Sequence, residues 1–246
     1  MIIGSHILQH EKVSSTNTLA AALLRDSYPP EGTVITASYQ ETGRGPPGNS
    51  WESEPGKNLL MSVILYPVMV RPADQFIISR MVSLAVYDLV SARTSAARIK
   101  WPNDIYVGND KIAGILIENS IMGQTLGSSV AGIGLNVNQT GFRSGAPNPV
   151  SLKQVTGKAH DLKDITGELI SLLDRRYGMV VRGEGALLES EYHAVLYRAG
   201  EWQRYSDSSG GFEGMIERVM HDGMLLVRRR DGSSSEYAFR EIDYIL

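Results

Sequence analysis

The chain has 246 residues, 42% hydrophobic and 21% charged, which is close to ordinary globular usage and enough for one large domain or a large one with a small appendage. Its formal charge of -3 comes without a long run of one sign, so composition steers it towards neither nucleic acid nor an anionic membrane. Cysteine is absent, which excludes disulfides, thiolate metal sites and cysteine nucleophiles and fits a reducing cytoplasm.

The first residues, Met1 to His6, turn polar at once and lack the basic segment, apolar core and cleavage site of a secretion signal. Next, Ser14-Ser15-Thr16-Asn17 precedes Leu19, Leu23 and Leu24 at helical spacing, which predicts a helix over 18–25 with the polar cluster as its N-cap. Residues 34–37 and 59–65 read as strands. The second is the longest apolar stretch; interrupted by Ser62 and stopped by Pro67, it falls far short of the roughly 20 residues needed to span a bilayer. Between the two strands, residues 41–57 form a glycine- and proline-rich loop long enough to suggest function.

Phe76, Ile77, Met81, Leu84, Ala85 and Leu89 predict a helix over 73–90, feeding a strand at 98–101 and a sharp turn at Pro102-Asn103-Asp104. Strands at 112–117 and 129–138 follow, parted by a turn at Met122-Gly123-Gln124, and then helices over 162–181 and 186–196. After Tyr197 the pattern becomes short strands with Asp222-Gly223 and Asp231-Gly232 between them, dipeptides suited to tight hairpins. The expectation is an α+β chain: a mixed β-sheet flanked by helices in 1–197 and a small all-β unit in 198–246.

Gly43-Arg44-Gly45-Pro46-Pro47-Gly48 fits the bare dinucleotide-binding spacing, but irregular chain follows where that fingerprint needs a helix N-terminus. Gly56-Lys57 is not a P-loop either, since Asn58 stands where Ser or Thr should hold magnesium. The loop does offer close backbone, the fixed charge of Arg44 and an aromatic, Trp51, which suit an anionic planar ligand; taken alone, it is equally a solvated loop with one buried tryptophan. Three further blocks follow: Lys100-Trp101-Pro102-Asn103-Asp104, Lys111-Ile112-Ala113-Gly114-Ile115-Leu116-Ile117-Glu118 and Gly132-Ile133-Gly134-Leu135-Asn136. Singly, each has a structural explanation: solvated lysines, an aspartate capping a turn, glycines permitting close strand packing.

In this order, behind Ser15-Thr16-Asn17 and Gln40, the blocks resemble the biotin protein ligases over nearly the whole chain. The resemblance implies a catalytic fold related to class II aminoacyl-tRNA synthetases and lipoate ligases, with a small C-terminal SH3-like β-barrel. With the chain starting directly at the catalytic part, it implies the non-regulatory type without a DNA-binding domain. The implied reaction is ATP-dependent: biotin becomes biotinyl-5'-AMP with loss of pyrophosphate and then passes to a lysine of a biotin carboxyl carrier protein. Family match places Ser15, Thr16, Asn17, Gln40, Arg44, Gly45, Lys111 and Gly114 at biotin, and Arg44, Trp51, Asn58, Asn103 and Asn136 at the nucleotide. Hydroxyl and amide groups suit a ureido ring that offers one acceptor and two donors, while Arg44 and Lys111 are the catalytic cations that offset the repulsion between carboxylate and phosphate. Asp104 either orients or deprotonates the acceptor lysine, or positions Lys111 and the turn. Mg²⁺ is expected to enter with ATP on phosphate oxygens, with no protein metal ligand assigned; neither nucleic acid nor membrane is an expected partner.

The chain departs from the family at Pro46-Pro47, where polar or basic residues are usual, and so loses two backbone N–H donors. That departure sustains a reading as a binder without turnover; a lipoate or other acyl ligase is the remaining alternative. If the prolines weaken the hold on the adenylate, replacing Pro46 by Gln together with Pro47 by Arg slows release of biotinyl-adenylate into solution, measured by trapping the free adenylate; an unchanged release rate rejects the idea.

Overall fold

The structure, a computed structural model, describes residues 1–46, 48–143 and 148–245. Twelve strands and five helices follow in chain order: β1 (Ile7–Val13), α1 (Thr16–Asp26), β2 (Val34–Gln40), β3 (Leu59–Leu65), α2 (Phe76–Ser91), β4 (Ala97–Lys100), β5 (Asp104–Val107), β6 (Asp110–Met122), β7 (Thr125–Leu135), α3 (Leu152–Thr156), α4 (Leu162–Val181), α5 (Gly185–Ala194), β8 (Trp202–Asp207), β9 (Gly210–Val219), β10 (Leu225–Arg229), β11 (Ser234–Tyr237) and β12 (Asp243–Tyr244). The first seven strands form one sheet in the order β1-β2-β3-β7-β6-β5-β4. It is mixed, since β1 runs parallel to β2 while the other neighbours are antiparallel.

β3 is apolar at every position but Ser62 because helices cover both of its faces. Leu59, Met61, Val63 and Leu65 enter the main core with α2 and α4, whereas Ile64 meets Ala20 of α1 on the opposite face. On that main face Met81, Ala85 and Leu89 of α2 pack with Ile165, Leu169, Leu173 and Tyr177 of α4. Asp161 caps α4 by accepting from the Lys163 and Asp164 amides at 2.7 and 3.2 Å.

Three elements were not expected. β1 is an edge strand with a half-exposed pattern, and α3 and β5 have 5 and 4 residues, too few for periodicity to register. β6 and β7 extend to 13 and 11 residues around the expected hairpin turn. The polar cluster before α1 needs correction: Ser15 holds the N-cap position, yet its side chain makes no capping bond, and Ser15, Thr16 and Asn17 are buried while Ser14 stays exposed.

The last five strands form a separate antiparallel sheet ordered β11-β10-β9-β8-β12, with no pairing of β11 to β12 among the described residues. Its Asp-Gly turns place Gly223 and Gly232 at φ +97 and +89, where a side chain would be strained. Tyr205, Ile216, Leu225 and Val227 belong to the same buried cluster as α2 and α4. Polar bonds cross the junction as well: Arg80 donates to the Val219 and Met220 carbonyls at 3.2 and 2.8 Å, Trp101 Nε1 to Gly223 O at 2.9 Å, and the Val219 amide to His193 Nε2 at 3.0 Å. Among the described residues no helix is long and apolar enough to cross a membrane.

Burial lowers the pKa of His193, and of His160 at the Asn138 loop, below histidine's ordinary value. Folding therefore disfavours their protonation: the stability they contribute is complete above about pH 6.5 and is lost as pH falls through the lower folded value. We expect the unfolding free energy to decline from pH 7 to pH 5, and His193→Gln, whose amide oxygen can still accept from Val219, to flatten that decline in urea titrations. An unaltered slope would exclude His193 as a contributor.

Candidate active site

Strand alternation puts Gly114, Leu116 and Glu118 of β6 beside Gly132 and Gly134 of β7, with Gly114 paired to Gly134 and Leu116 to Gly132. Their neighbours Ala113, Ile115, Ala131 and Ile133 face the main core. Glycine on the outer face leaves bare backbone at the floor of a cavity of about 560 Å³. Two side chains lie directly on that floor. A Cβ at Gly132 would overlap the Asn17 carboxamide oxygen, and one at Gly134 would stand 2.6 Å from Trp51 Nε1.

At one end, the first turn of α1 faces the end of β2. Gln40 Oε1 accepts from the Thr16 amide at 2.7 Å and from the Thr16 hydroxyl at 3.1 Å. Ser62 of β3 donates to Asn17 Oδ1 at 2.6 Å and lies 2.7 Å from Thr16 Oγ1. Ser15, Thr16, Asn17, Gln40 and Ser62 are all buried, so this is a fixed array of hydroxyl and amide groups rather than a solvated helix end.

Two ion pairs flank the floor. Arg44 reaches from the glycine loop to Glu118, Nη2 to Oε1 at 2.9 Å, and the other Glu118 oxygen accepts from Asn17 Nδ2 at 2.8 Å. Lys111 Nζ meets Asp104 Oδ1 at 2.7 Å and stands 5.9 Å from the Trp51 ring centre. Asp104 and Lys111 come together because the β5–β6 hairpin folds the two blocks side by side.

Of the residues expected at biotin, all eight line this cavity: Ser15, Thr16, Asn17, Gln40, Arg44, Gly45, Lys111 and Gly114. Of the residues expected at the nucleotide, Arg44, Trp51 and Asn103 line it too, Asn103 donating from Nδ2 to Ile115 O. Asn58 and Asn136 stand outside the lining. Asn58 is buried, accepting from the Val137 amide at 3.1 Å and donating to Gln139 Oε1 at 2.6 Å, while Asn136 donates to Val150 O at 3.1 Å. Pro46 lines the cavity; Pro47 lies outside the described residues.

Four contributors escaped sequence reasoning: Ser62, Glu118, Lys100 and Tyr244. A lone serine inside an apolar strand was the available signal for Ser62, since a buried hydroxyl needs a partner. Nothing local marks the C-terminal residues Phe239, Ile242 and Tyr244 as cavity wall, because they arrive from the second sheet.

The model of the Biotin/lipoate A/B protein ligase family matches residues 10–136. The "Bifunctional ligase/repressor BirA" of Bacillus subtilis is 28% identical over 247 residues, 96% of this chain and 74% of that protein. A "Biotin--[acetyl-CoA-carboxylase] ligase" of Paracoccus denitrificans is 30% identical over 201 residues, 79% of this chain and 83% of that one. Among solved structures, the biotin protein ligase of Aquifex aeolicus in complex with biotin and ATP superposes with a TM-score of 0.80 at 22% identity, covering 97% of this chain and 98% of that chain, which shows a shared fold.

The contact between Trp51 and the floor gives a double-mutant test. Gly134→Ala should cost roughly 1–3 kcal/mol by overpacking in the wild-type background and nearly nothing once Trp51 is alanine, read from urea unfolding. Equal costs in both backgrounds would mean that the indole does not rest on Gly134.

Proposed function

This chain belongs to the biotin/lipoate A/B protein ligase family and is a ligase, and we propose that it activates biotin with ATP and transfers it to a lysine of a biotin carboxyl carrier protein. The observation that carries this reading is the arrangement across one glycine floor: a buried hydroxyl and amide array at one end and two cation–carboxylate pairs beside it. The array of Ser15, Thr16, Asn17 and Gln40 offers both donors and acceptors to a ureido ring. The apolar chain of biotin then runs over bare backbone towards Arg44 and Lys111.

In the first step a biotin carboxylate oxygen attacks the α-phosphorus of ATP, and the bond from that phosphorus to the bridging oxygen breaks as pyrophosphate leaves. Both reactants are anionic, so Arg44 and Lys111 turn from Glu118 and Asp104 to the incoming oxygens and offset the repulsion. In the second step the neutral amine of an acceptor lysine attacks the acyl carbon, AMP leaves and the amine gives up a proton. The 2.7 Å contact supports Asp104 as the group that positions Lys111. Once Lys111 has moved to phosphate, the freed carboxylate is available to the acceptor ammonium.

Trp51 and Asn103 form the nucleotide side of this reading. Asn58 and Asn136 act from behind, holding the turn that follows β7. Asp104 and Asp243 in the lining are the carboxylates that would hold a Mg²⁺ ion accompanying ATP, which would supply further positive charge at the phosphates. Residues 1–197 carry the reaction and 198–246 the added wall. A cysteine-free chain acting on a carboxylase subunit belongs in the cytoplasm.

Pyrophosphate release from ATP should require biotin and not respond to lipoate, and label from biotin should then appear on an added carrier domain. Biotin binding without release would mark a binder, and lipoate-dependent release a different acyl ligase. With Asp104→Asn, adenylate formation and transfer timed separately should show transfer falling by roughly 100-fold, the low end of the 10²–10⁴ range for general acid–base catalysis. Unchanged transfer leaves Asp104 with no part in the second step.

A further inference from the structure

Three cations line the cavity from the sheet and the glycine loop, and two of them are already neutralised: Arg44 by Glu118 and Lys111 by Asp104. The third, Lys100 at the end of β4, makes no ion pair or hydrogen bond among the described residues. Its ammonium sits 4.3 Å above the ring of Tyr244 and 5.3 Å above that of Tyr106. A partly buried ammonium ordinarily acquires a carboxylate. Aromatic faces stabilise such a charge, yet they leave its three N–H donors without acceptors.

The electrostatic surroundings agree with that geometry. Burial pushes the Lys100 pKa below lysine's ordinary value; Asp104 and Asp243 oppose this through space, while Lys111 and Arg198 reinforce it. The side chain is thus a desolvated cation with open donors, aimed into a cavity whose other sheet-side cations must first release a carboxylate.

We propose that Lys100 binds the phosphates of the nucleotide, donating to their oxygens from a seat between Tyr106 and Tyr244. This rests on the reading of the cavity as an adenylate-forming site. A phosphate arriving at Arg44 or Lys111 has to displace Glu118 or Asp104; at Lys100 it displaces nothing and supplies the missing acceptors. The seat also spans the two sheets, since Tyr106 lies on β5 and Tyr244 on β12. A phosphate on Lys100 therefore engages the C-terminal sheet through the ring of Tyr244.

Inorganic pyrophosphate, ATP and biotin titrated calorimetrically into wild type, Lys100→Met and Lys100→Arg test the assignment. A lost charge-assisted hydrogen bond of about 1.5–3 kcal/mol corresponds to roughly 10- to 100-fold weaker binding. We expect that loss for pyrophosphate and ATP with Lys100→Met, biotin affinity unchanged, and most of the affinity kept with Lys100→Arg. Wild-type pyrophosphate affinity in Lys100→Met overturns the proposal, and so does an equal defect for all three ligands in both variants, which would mark a purely structural lysine.

Should Lys100→Met not fold, acylation of the wild-type protein gives the same answer. Pyrophosphate must slow labelling of Lys100, followed by peptide mass spectrometry, while leaving the exposed Lys12 and Lys158 unaffected; an unprotected Lys100 overturns the proposal. A wild-type protein that protects Lys100 with pyrophosphate but releases none from ATP in the presence of biotin would instead refute the ligase chemistry and leave the phosphate site standing.

Discussion

The constraint on which the rest depends is the missing side chains at Gly114, Gly132 and Gly134. A sheet face in a protein of this size is normally covered by side chains that interdigitate with the next layer. Here α1 covers the β3 and β7 end of the outer face, and towards β6 the cover stops. Leaving that part as bare backbone lets Asn17 and Trp51 lie flat against it, where any Cβ would expel them. The cavity is thus a consequence of subtraction: three glycines on paired strands make a floor deep enough for a ligand without bending the sheet.

Onto that floor the chain places charge in neutral pairs. An isolated ammonium or carboxylate in a half-buried cleft loses much of its hydration, and a partner at 2.7 or 2.9 Å offsets that loss. Pairing also stores these two cations: an anionic group that reaches Arg44 or Lys111 exchanges with Glu118 or Asp104. Glu118 has a second role, because its other oxygen holds Asn17. Movement of Arg44 therefore need not disturb the amide array, which keeps its own anchor through Ser62 and Gln40.

Much of this was legible in the sequence, for reasons that vary between elements. α4 and β3 were readable to their ends, since one has a complete apolar stripe closed by a capping Asp161 and the other an apolar run, interrupted only by Ser62, that is covered on both sides. β1 was not, because an edge strand needs no strong pattern, and neither were the very short β5 and α3. Ser14 to Asn17 was read as a cap on local grounds; only the tertiary partners Gln40, Ser62 and Glu118 reveal that Thr16 and Asn17 face inward. The cavity residues came from motif resemblance, and what motifs omit is what a distant segment supplies. Asn58 and Asn136 show the converse: one directly follows the glycine- and proline-rich loop and the other ends the last block, yet both bond to the chain behind the wall.

The block from Lys100 to Asp104 shows why so short a segment is so particular in its residues. Lys100 meets Tyr244 of the second sheet, Trp101 donates to Gly223 at the β9–β10 turn, Asn103 bonds the β6 backbone at Ile115, and Asp104 holds Lys111. Together these side chains fix β6, the β9–β10 turn and β12, so the segment is a joint between sheet, cavity and C-terminal unit. The joint is reinforced from behind: Arg80 carries the Val219 and Met220 carbonyls and pairs with Glu189 at 3.3 Å, and Phe76 packs against Gly223 so closely that no side chain fits there. A wall built from a second sheet is useful to an active site only if its position is held to well under an ångström, because reactivity falls steeply with misplacement. Buried arginine and tryptophan donors bonded to turn carbonyls give that precision, since slipping would leave polar groups unpaired in the core.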